Sequence, residues 1–196
     1  MSTAHSGIRG LHHTAFRVRD SEETRRFYED FLGLRLATSL EIGVTKTGNR
    51  TQYLHTFYEL DDGSYLAFFE APERPFEFKD QHDFDLHIAL EVSEEHMLAM
   101  KARGEAAGLE VRGVADHDWI HSIYFRDPNG YVVELTCKQD NHDEETDPER
   151  NGAREKLDRW TAAKRAAGVT ADVPPGPDVQ FHTGAAKVGT AGETLT

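Results

Sequence analysis

The sequence predicts an α+β fold made of two copies of a β-α-β-β-β module. A strand, a helix and three strand-like segments follow one another twice before Lys138. Each helix follows an N-cap signal, Asp20-Ser-Glu-Glu23 in the first copy and Ser93-Glu-Glu95 in the second. The first strands share the pattern His-x-Ala-x-x-Val, from His13 to Val18 and from His87 to Val92. The repeat predicts paired modules.

The first module spans residues 8–72. Its opening strand alternates, with His13, Ala15 and Arg17 predicted on the face opposite Phe16 and Val18. The helix carries an apolar face and ends at Gly33. Three strands follow, and Asp-Asp-Gly forms the hairpin turn between the last two; they are Leu36 to Leu40, Tyr53 to Leu60 and Tyr65 to Phe69.

The second module spans residues 84–139, after a charged connector from Pro72 to Asp83. The turn Asp127-Pro-Asn-Gly130 joins its last two strands. When the turns of the two modules are superposed, Ala67 takes the position that Glu134 holds in the second copy. The predicted strands are Leu86 to Val92, Glu110 to Gly113, Trp119 to Phe125 and Tyr131 to Cys137.

Beyond the modules we expect an acidic linker and a C-terminal helix over residues 140–167, with Leu157 and Trp160 available to dock on the body. Residues 168–196 are rich in Pro, Gly, Ala and Thr, which predicts a disordered tail. We assign no chemistry to this part of the chain.

Composition excludes several functions. The net charge of −13 over 196 residues argues against nucleic acids and anionic membranes as partners. No run approaches the ~20 apolar residues of a membrane helix. The single cysteine, Cys137, excludes an intrachain disulfide and a cysteine zinc site, and we therefore expect a cytoplasmic protein.

One carboxylate stands in an apolar strand. Glu134 lies among valine, leucine and cysteine residues, where a carboxylate without a partner would cost several kcal/mol. If the two modules curl around one cavity, strand parity points His13, His87 and Glu134 inward together. Two imidazoles and one carboxylate suit Fe(II), with Mn, Co, Ni or Zn as alternatives. His12 has the opposite parity and is the less favoured ligand.

The chain resembles the vicinal oxygen chelate superfamily, which includes glyoxalase I, methylmalonyl-CoA epimerase, fosfomycin-resistance enzymes, bleomycin-binding proteins and extradiol dioxygenases. The resemblance runs from Gly10 to Lys138 and is carried by three motifs. It implies the glyoxalase/bleomycin resistance/dihydroxybiphenyl dioxygenase fold, with His13, His87 and Glu134 matching metal ligands. The motifs are Leu11-His-His-Thr-Ala-Phe-Arg-Val-Arg-Asp20, Phe27-Tyr28 with Leu32-Gly-Leu34, and Asp127-Pro-Asn-Gly-Tyr-Val-Val-Glu134.

Two features favour the extradiol branch. Glyoxalase I and the epimerase place a fourth ligand where this chain has Ala67, so we expect three protein ligands and open positions for substrate and O2. Fosfomycin-resistance enzymes also use three ligands, so Ala67 alone does not choose between the two branches. The order His117, Ile123, Tyr124, Asp127, Pro128, Gly130 and Glu134 also matches the extradiol signature. The resemblance implies that His117 and Tyr124 line the pocket, the alternative being a surface histidine and a packed tyrosine.

The sequence also departs from that branch. Ala115 stands where the signature prefers other small or β-branched residues. Ser64 is the nearest match to the acid–base histidine, a group that typically contributes 10²–10⁴-fold. His55, on the preceding strand, is our substitute candidate, and His121 is close in sequence but of opposite parity to Tyr124.

Three hypotheses follow for function. The first is an Fe(II) extradiol-type dioxygenase that acts on a catechol-like aromatic with O2, using Tyr124, His117 and His55 as catalytic residues. The second is a glyoxalase- or epimerase-type lyase or isomerase, or a thiol transferase, with the metal as Lewis acid. The third is a non-catalytic protein that binds an aromatic or antibiotic. We expect a homodimer, with modules paired within a chain or swapped between chains.

Overall fold

The computed structural model describes residues 7–44, 50–80 and 82–169 and contains two four-stranded sheets. In each sheet the module's first strand lies at an edge, parallel to the module's last strand, and the other pairs are antiparallel. The predicted α+β fold of two β-α-β-β-β modules is confirmed. The first sheet has the order β1 (His13–Val18), β4 (Tyr65–Glu70), β3 (Arg50–Glu59) and β2 (Arg35–Val44); the second has the order β5 (His87–Glu91), β8 (Val132–Lys138), β7 (Ile120–Arg126) and β6 (Val111–Asp116).

The helices begin where the capping signals predict. Helix α1 (Ser21–Arg25) continues as a π-helical stretch, Arg26–Phe31, and Asp20 caps it by accepting from the Glu23 backbone N–H at 2.7 Å. The predicted capping box is only half formed, because the Glu23 carboxylate binds the Arg19 guanidinium instead. Helix α2 (Glu94–Ala106) is capped by Ser93.

The two modules share one apolar core. The helix of the first module meets the last hairpin of the second, where the rings of Phe31 and Phe125 lie 5.3 Å apart. Polar contacts cross the same boundary: the Tyr28 hydroxyl donates to the Asp127 carboxylate at 3.2 Å, and the Tyr131 hydroxyl donates to the Arg17 carbonyl at 2.9 Å. The modules are therefore joined through the helix-covered faces of their sheets.

The opposite face of each sheet, which we call its outer face, carries the predicted site residues. Val18 is fully buried while His13 and Ala15 are exposed, as the alternation predicts. Ala15 pairs with Ala67 in the first sheet, and Ala89 pairs with Glu134 in the second. The register thus confirms that Ala67 and Glu134 occupy equivalent positions.

Strand bounds differ from the prediction mainly in the second strand of each module. β2 runs on to Val44 and β6 to Asp116, and each extension pairs with the following strand through a register shift.

The C-terminal segment is described by itself. Residues His142–Thr146 form a short helix, α3, within the predicted acidic linker, and α4 spans Ala153–Ala166. Leu157 and Trp160 are exposed on α4. Most of the predicted disordered tail, residues 170–196, lies outside the described residues. Across the described ranges, no helix is long and apolar enough to cross a membrane.

Candidate metal centre

The outer face of the second sheet gathers a buried carboxylate and an imidazole. Glu134 lies on β8 and is only 4% exposed. The first residue of the neighbouring strand β5, His87, places its Nε2 atom 3.2 Å from Glu134 Oε2. This separation is close to the ~3.0 Å edge of an octahedral site with bonds of ~2.1 Å.

The tautomer of His87 explains why a cation fits here. Its Nδ1 atom lies 2.7 Å from the Asp83 carbonyl oxygen, which only accepts hydrogen bonds. Nδ1 must therefore carry the proton, and Nε2 of the neutral ring presents a lone pair to the carboxylate of Glu134. Two facing acceptors repel each other unless a proton or metal ion lies between them.

A hydrogen-bonded chain continues from Glu134 across the sheet. Tyr124, its partner on β7, places its hydroxyl 3.3 Å from Glu134 Oε1 and 2.9 Å from His117 Nε2. Burial raises the pKa of the Tyr124 hydroxyl, and the Glu134 charge raises it further. These hydrogen bonds hold a neutral phenol beside the carboxylate, where it can donate to an oxygen-bearing ligand.

Two residues that the sequence did not single out complete this cluster. The Arg112 guanidinium lies 5.3 Å from the centre of the Tyr124 ring and donates to the Asp83 carboxylate at 2.5 Å. Asp83 therefore contacts Arg112 through its side chain and His87 through its backbone. The Arg112–Tyr124 pairing depends on a register shift after Gly113, which sequence patterns do not show.

The outer face of the first sheet carries the remaining predicted residues. His13 is exposed at the start of β1, and its ring lies 5.5 Å from Phe57 and 6.5 Å from His55, measured between centroids. His12 Nδ1 lies 2.8 Å from His13 Nδ1. We call this group the first half-site, and the His87–Glu134–Tyr124–His117 group the second half-site.

His55 is a buried base candidate in the first half-site. Its ring stacks on Phe69 at 3.5 Å, and Nδ1 lies 3.0 Å from the Phe68 carbonyl oxygen. That carbonyl fixes the proton on Nδ1 and leaves Nε2 as an acceptor. Ser64, the alternative position, instead bonds Asp62 in the hairpin turn.

Within one chain, the structure does not bring His13 together with His87 and Glu134. Among residues 7–44, 50–80 and 82–169, no group of three or more His, Cys, Asp or Glu side chains could hold a metal ion. Each half-site alone offers fewer ligands than a three-residue centre requires. His117 and Tyr124 do lie beside Glu134, whereas His55 lies with His13.

The two sheets thus carry imidazole and carboxylate side chains on their outer faces. Residues 10–135 match the profile of the Glyoxalase/Bleomycin resistance protein/Dioxygenase superfamily. The chain belongs to that superfamily.

Solved structures share the fold. A glyoxylase/bleomycin resistance protein/dioxygenase domain from Frankia sp. EAN1pec has a TM-score of 0.55 at 19% identity, covering 69% of this chain and 96% of that one. A glyoxalase/dioxygenase from Nostoc punctiforme has a TM-score of 0.53 at 22% identity, covering 70% and 96%. The fosfomycin resistance protein FosX from Listeria monocytogenes, solved with Mn(II) and sulfate, has a TM-score of 0.51 at 21% identity, covering 69% and 97%.

Proposed function

We propose that the protein is a metal-dependent enzyme, an Fe(II) extradiol-type dioxygenase that uses O2 to cleave a catechol-like aromatic. The observation that carries this proposal is the His117–Tyr124–Glu134 chain beside His87. A carboxylate, an imidazole and a phenol share one face of one sheet there. Donors next to a metal ligand are what a bound pair of substrate oxygens requires.

The proposed site is completed by a second copy of the chain. His13 of one copy would join His87 and Glu134 of the other, since β1 and β5 are both edge strands whose first residues carry the histidines. The back-to-back joining of the modules through the core supports this homodimer, because it leaves both outer faces available to a partner.

Each residue then has a role in the proposed site. His13, His87 and Glu134 would hold the metal, whose chemistry when bound is to polarise the substrate oxygens and bring O2 to the ring. Tyr124 and His117 would hold a proton on or near those oxygens. His55, with Nε2 free to accept, would take a proton from the substrate hydroxyl.

Ser64 favours a second candidate. Its side chain is bonded to Asp62, and it cannot act as the acid–base group that the matching position supplies in extradiol enzymes. Without that group, a divalent metal acting as Lewis acid would support isomerisation, epimerisation or thiol addition. FosX, solved with Mn(II), is a fold relative that has a divalent metal in its structure.

Anaerobic reconstitution with Fe(II), followed by O2 uptake with a panel of catechols, tests the proposal. We expect stoichiometric uptake by the wild type and by Glu91→Ala, an exposed carboxylate elsewhere on the second sheet. Glu134→Ala should lose both iron and uptake. Unchanged iron in Glu134→Ala would mean that the ligand is misplaced. No uptake, together with isomerase activity supported by Co or Ni, would favour the second candidate.

A further inference from the structure

Three rows of side chains cross the outer face of the first sheet. The register places His13 beside Tyr65, Ala15 beside Ala67 and Arg17 beside Phe69. His13 and Arg17 therefore mark opposite ends of one strip, ~13 Å apart along β1 at ~3.3 Å per residue. The row between them, Ala15 and Ala67, has the shortest side chains of the strip.

The middle of the strip is aromatic. The His55 and Phe69 rings are nearly parallel, at an interplanar angle of 9° and a centroid separation of 3.5 Å, and Phe57 lies 4.3 Å from His55. In the row beside these rings Ala15 is exposed, whereas Ala67 is buried. Such a surface suits a planar, unsaturated substrate.

The far end of the strip is cationic. Arg17 and Arg74 line a cleft of about 530 Å³ behind the Ala71–Phe76 turn. Arg17 is half-buried, and its Nη2 donates to the carbonyl oxygens of Ala71 at 2.8 Å and Arg74 at 2.9 Å. Its Nε–H is buried without an acceptor in the described part of the chain.

Within residues 7–44, 50–80 and 82–169, neither guanidinium forms an ion pair. In the described ranges the Arg17 guanidinium donates only to backbone carbonyls, and the Arg74 guanidinium lies over the Tyr53 ring at 5.4 Å. Arg19, also on the cleft, is neutralised by a bidentate pair with Glu23. The acidic residue that lines the cleft, Glu73, is exposed. A half-buried guanidinium with an unused donor is a strong oxyanion ligand.

We infer that the Arg17–Arg74 cleft binds an oxyanion group, a carboxylate or a phosphate, at the end of the substrate remote from the metal. The inference rests on the proposed function for the location of the reacting end at His13. The substrate class is thus an elongated aromatic acid, with vicinal oxygens at the His13 end of the strip and the anion at the Arg17 end, ~13 Å away. Catechol itself carries no such anionic group and would not contact the arginines.

Anion binding by the full-length protein tests the cleft without reference to the reaction. The protein is titrated with inorganic phosphate and with benzoate, as isolated and after EDTA treatment, and arginine Nε–H signals are followed by NMR. We expect saturable shifts in the wild type and about tenfold weaker binding in Arg17→Met and Arg74→Met, the loss of one charge-assisted contact. If only phosphate or only benzoate shifts the signals, that result identifies the class of anion that binds.

The variants separate binding from folding. Arg17→Met removes two hydrogen bonds to the Ala71–Arg74 turn, whereas Arg74→Met leaves both intact because their acceptors are the backbone carbonyls of residues 71 and 74. Arg26→Met, an exposed helix arginine paired with Glu22, is the matched control and should bind as the wild type. Equal binding by Arg74→Met and the control, or no binding by the wild type, would overturn the inference.

A kinetic arm links the cleft to the reaction. In the Fe(II)-reconstituted enzyme, Arg74→Met should raise KM for a catechol bearing a carboxylate chain about tenfold and leave KM for catechol unchanged. Equal effects on both substrates would overturn the link. Anion binding that persists without any O2 uptake would reject the dioxygenase proposal and leave the cleft in place.

Discussion

Glu134 shows how far residue-level patterns reach. Its apolar neighbours predict an unusual carboxylate, and the structure buries it against His87 Nε2 and the Tyr124 hydroxyl. Strand parity predicted that His87 and Glu134 face the same way, since side chains alternate along a strand, whereas the extradiol resemblance pointed to Tyr124. Parity could not predict Asp83 or Arg112, because their contacts depend on the connector's path and on a register shift.

Gly130 is a position where a single methyl group should matter. Its φ is +98°, and a Cβ there would lie 2.5 Å from the Lys79 carbonyl oxygen, because the connector crosses directly over the turn. Gly63, at the equivalent turn, has φ +81° and open space. We expect Gly130→Ala to lower the free energy of unfolding by about 3 kcal/mol and Gly63→Ala by about 1 kcal/mol.

Urea denaturation of the two glycine variants and the wild type measures this difference. The comparison isolates the clash, because both positions require a positive φ. Equal losses for Gly130→Ala and Gly63→Ala would show that the Lys79 backbone yields without cost.

At the scale of elements, the Asp127–Tyr131 turn joins the two modules. The Asp127 carboxylate accepts from the backbone N–H groups of Asn129 and Tyr131, and also from the Tyr28 hydroxyl. Asn129 in turn donates to Thr24 and accepts from the Arg19 backbone N–H at 2.8 Å. One turn thus satisfies polar groups of both modules at their shared boundary.

Asp127 gives this boundary a pH dependence. Burial raises the pKa of its carboxyl above the usual value, and hydrogen bonds from Asn129, Tyr131 and Tyr28 offset only part of that rise. A raised folded-state pKa stabilises the fold fully below the unfolded pKa, and this stabilisation is lost as pH rises through the folded pKa. Asp127→Asn should lower the free energy of unfolding by about 2 kcal/mol at pH 7, because the side chain loses two acceptor contacts. The loss should be larger at pH 4.

Urea unfolding of Asp127→Asn and the wild type at pH 4 and pH 7 tests this dependence. Asp62→Asn, in the hairpin turn of the first module, is a control with the opposite pH dependence. Hydrogen bonds from Ser64 lower the pKa of Asp62, so the contribution of Asp62 to stability is lost as pH falls. An Asp127→Asn difference that grows with pH would contradict the assignment.

The elements themselves were largely predictable. Caps, glycine turns and alternation located both helices and every strand of the two modules, because each is a local signal. The extensions of β2 and β6 were not, since each depends on pairing with the adjacent strand across a register shift.

At the scale of the molecule, the sequence predicted two modules but did not show whether the modules that form one site belong to one chain or to two. Parity places His13 and His87 on outer faces without indicating whether one chain or two supply them. The shared core, with Phe31 against Phe125 and Tyr28 against Asp127, joins the modules away from those faces. Long-range packing of this kind is not a property of any local segment.

Mixed dimers test the two-chain site. His13→Ala and Glu134→Ala should each lack bound iron and O2 uptake. Co-refolding the two at equal amounts should restore about a quarter of the wild-type sites, because half the dimers are mixed and each mixed dimer contains one intact site.

Glu91→Ala co-refolded with Glu134→Ala is the matched control, because neither half-site of the Glu91→Ala chain is altered; about half of the wild-type sites should then form. Absence of any recovery from the His13→Ala and Glu134→Ala mixture would mean that all three ligands belong to one chain.

Because the two modules of each chain share a core, a chain can fold without a partner. In the proposed dimer, a chain released from its partner would keep the packing of Tyr28, Phe31 and Phe125, and so would keep the fold of its modules. Its half-sites would be separated from those of the partner, and a metal held between them would be released. The specific activity of the proposed enzyme would therefore rise with its own abundance, so that dilution alone would inactivate it without degradation.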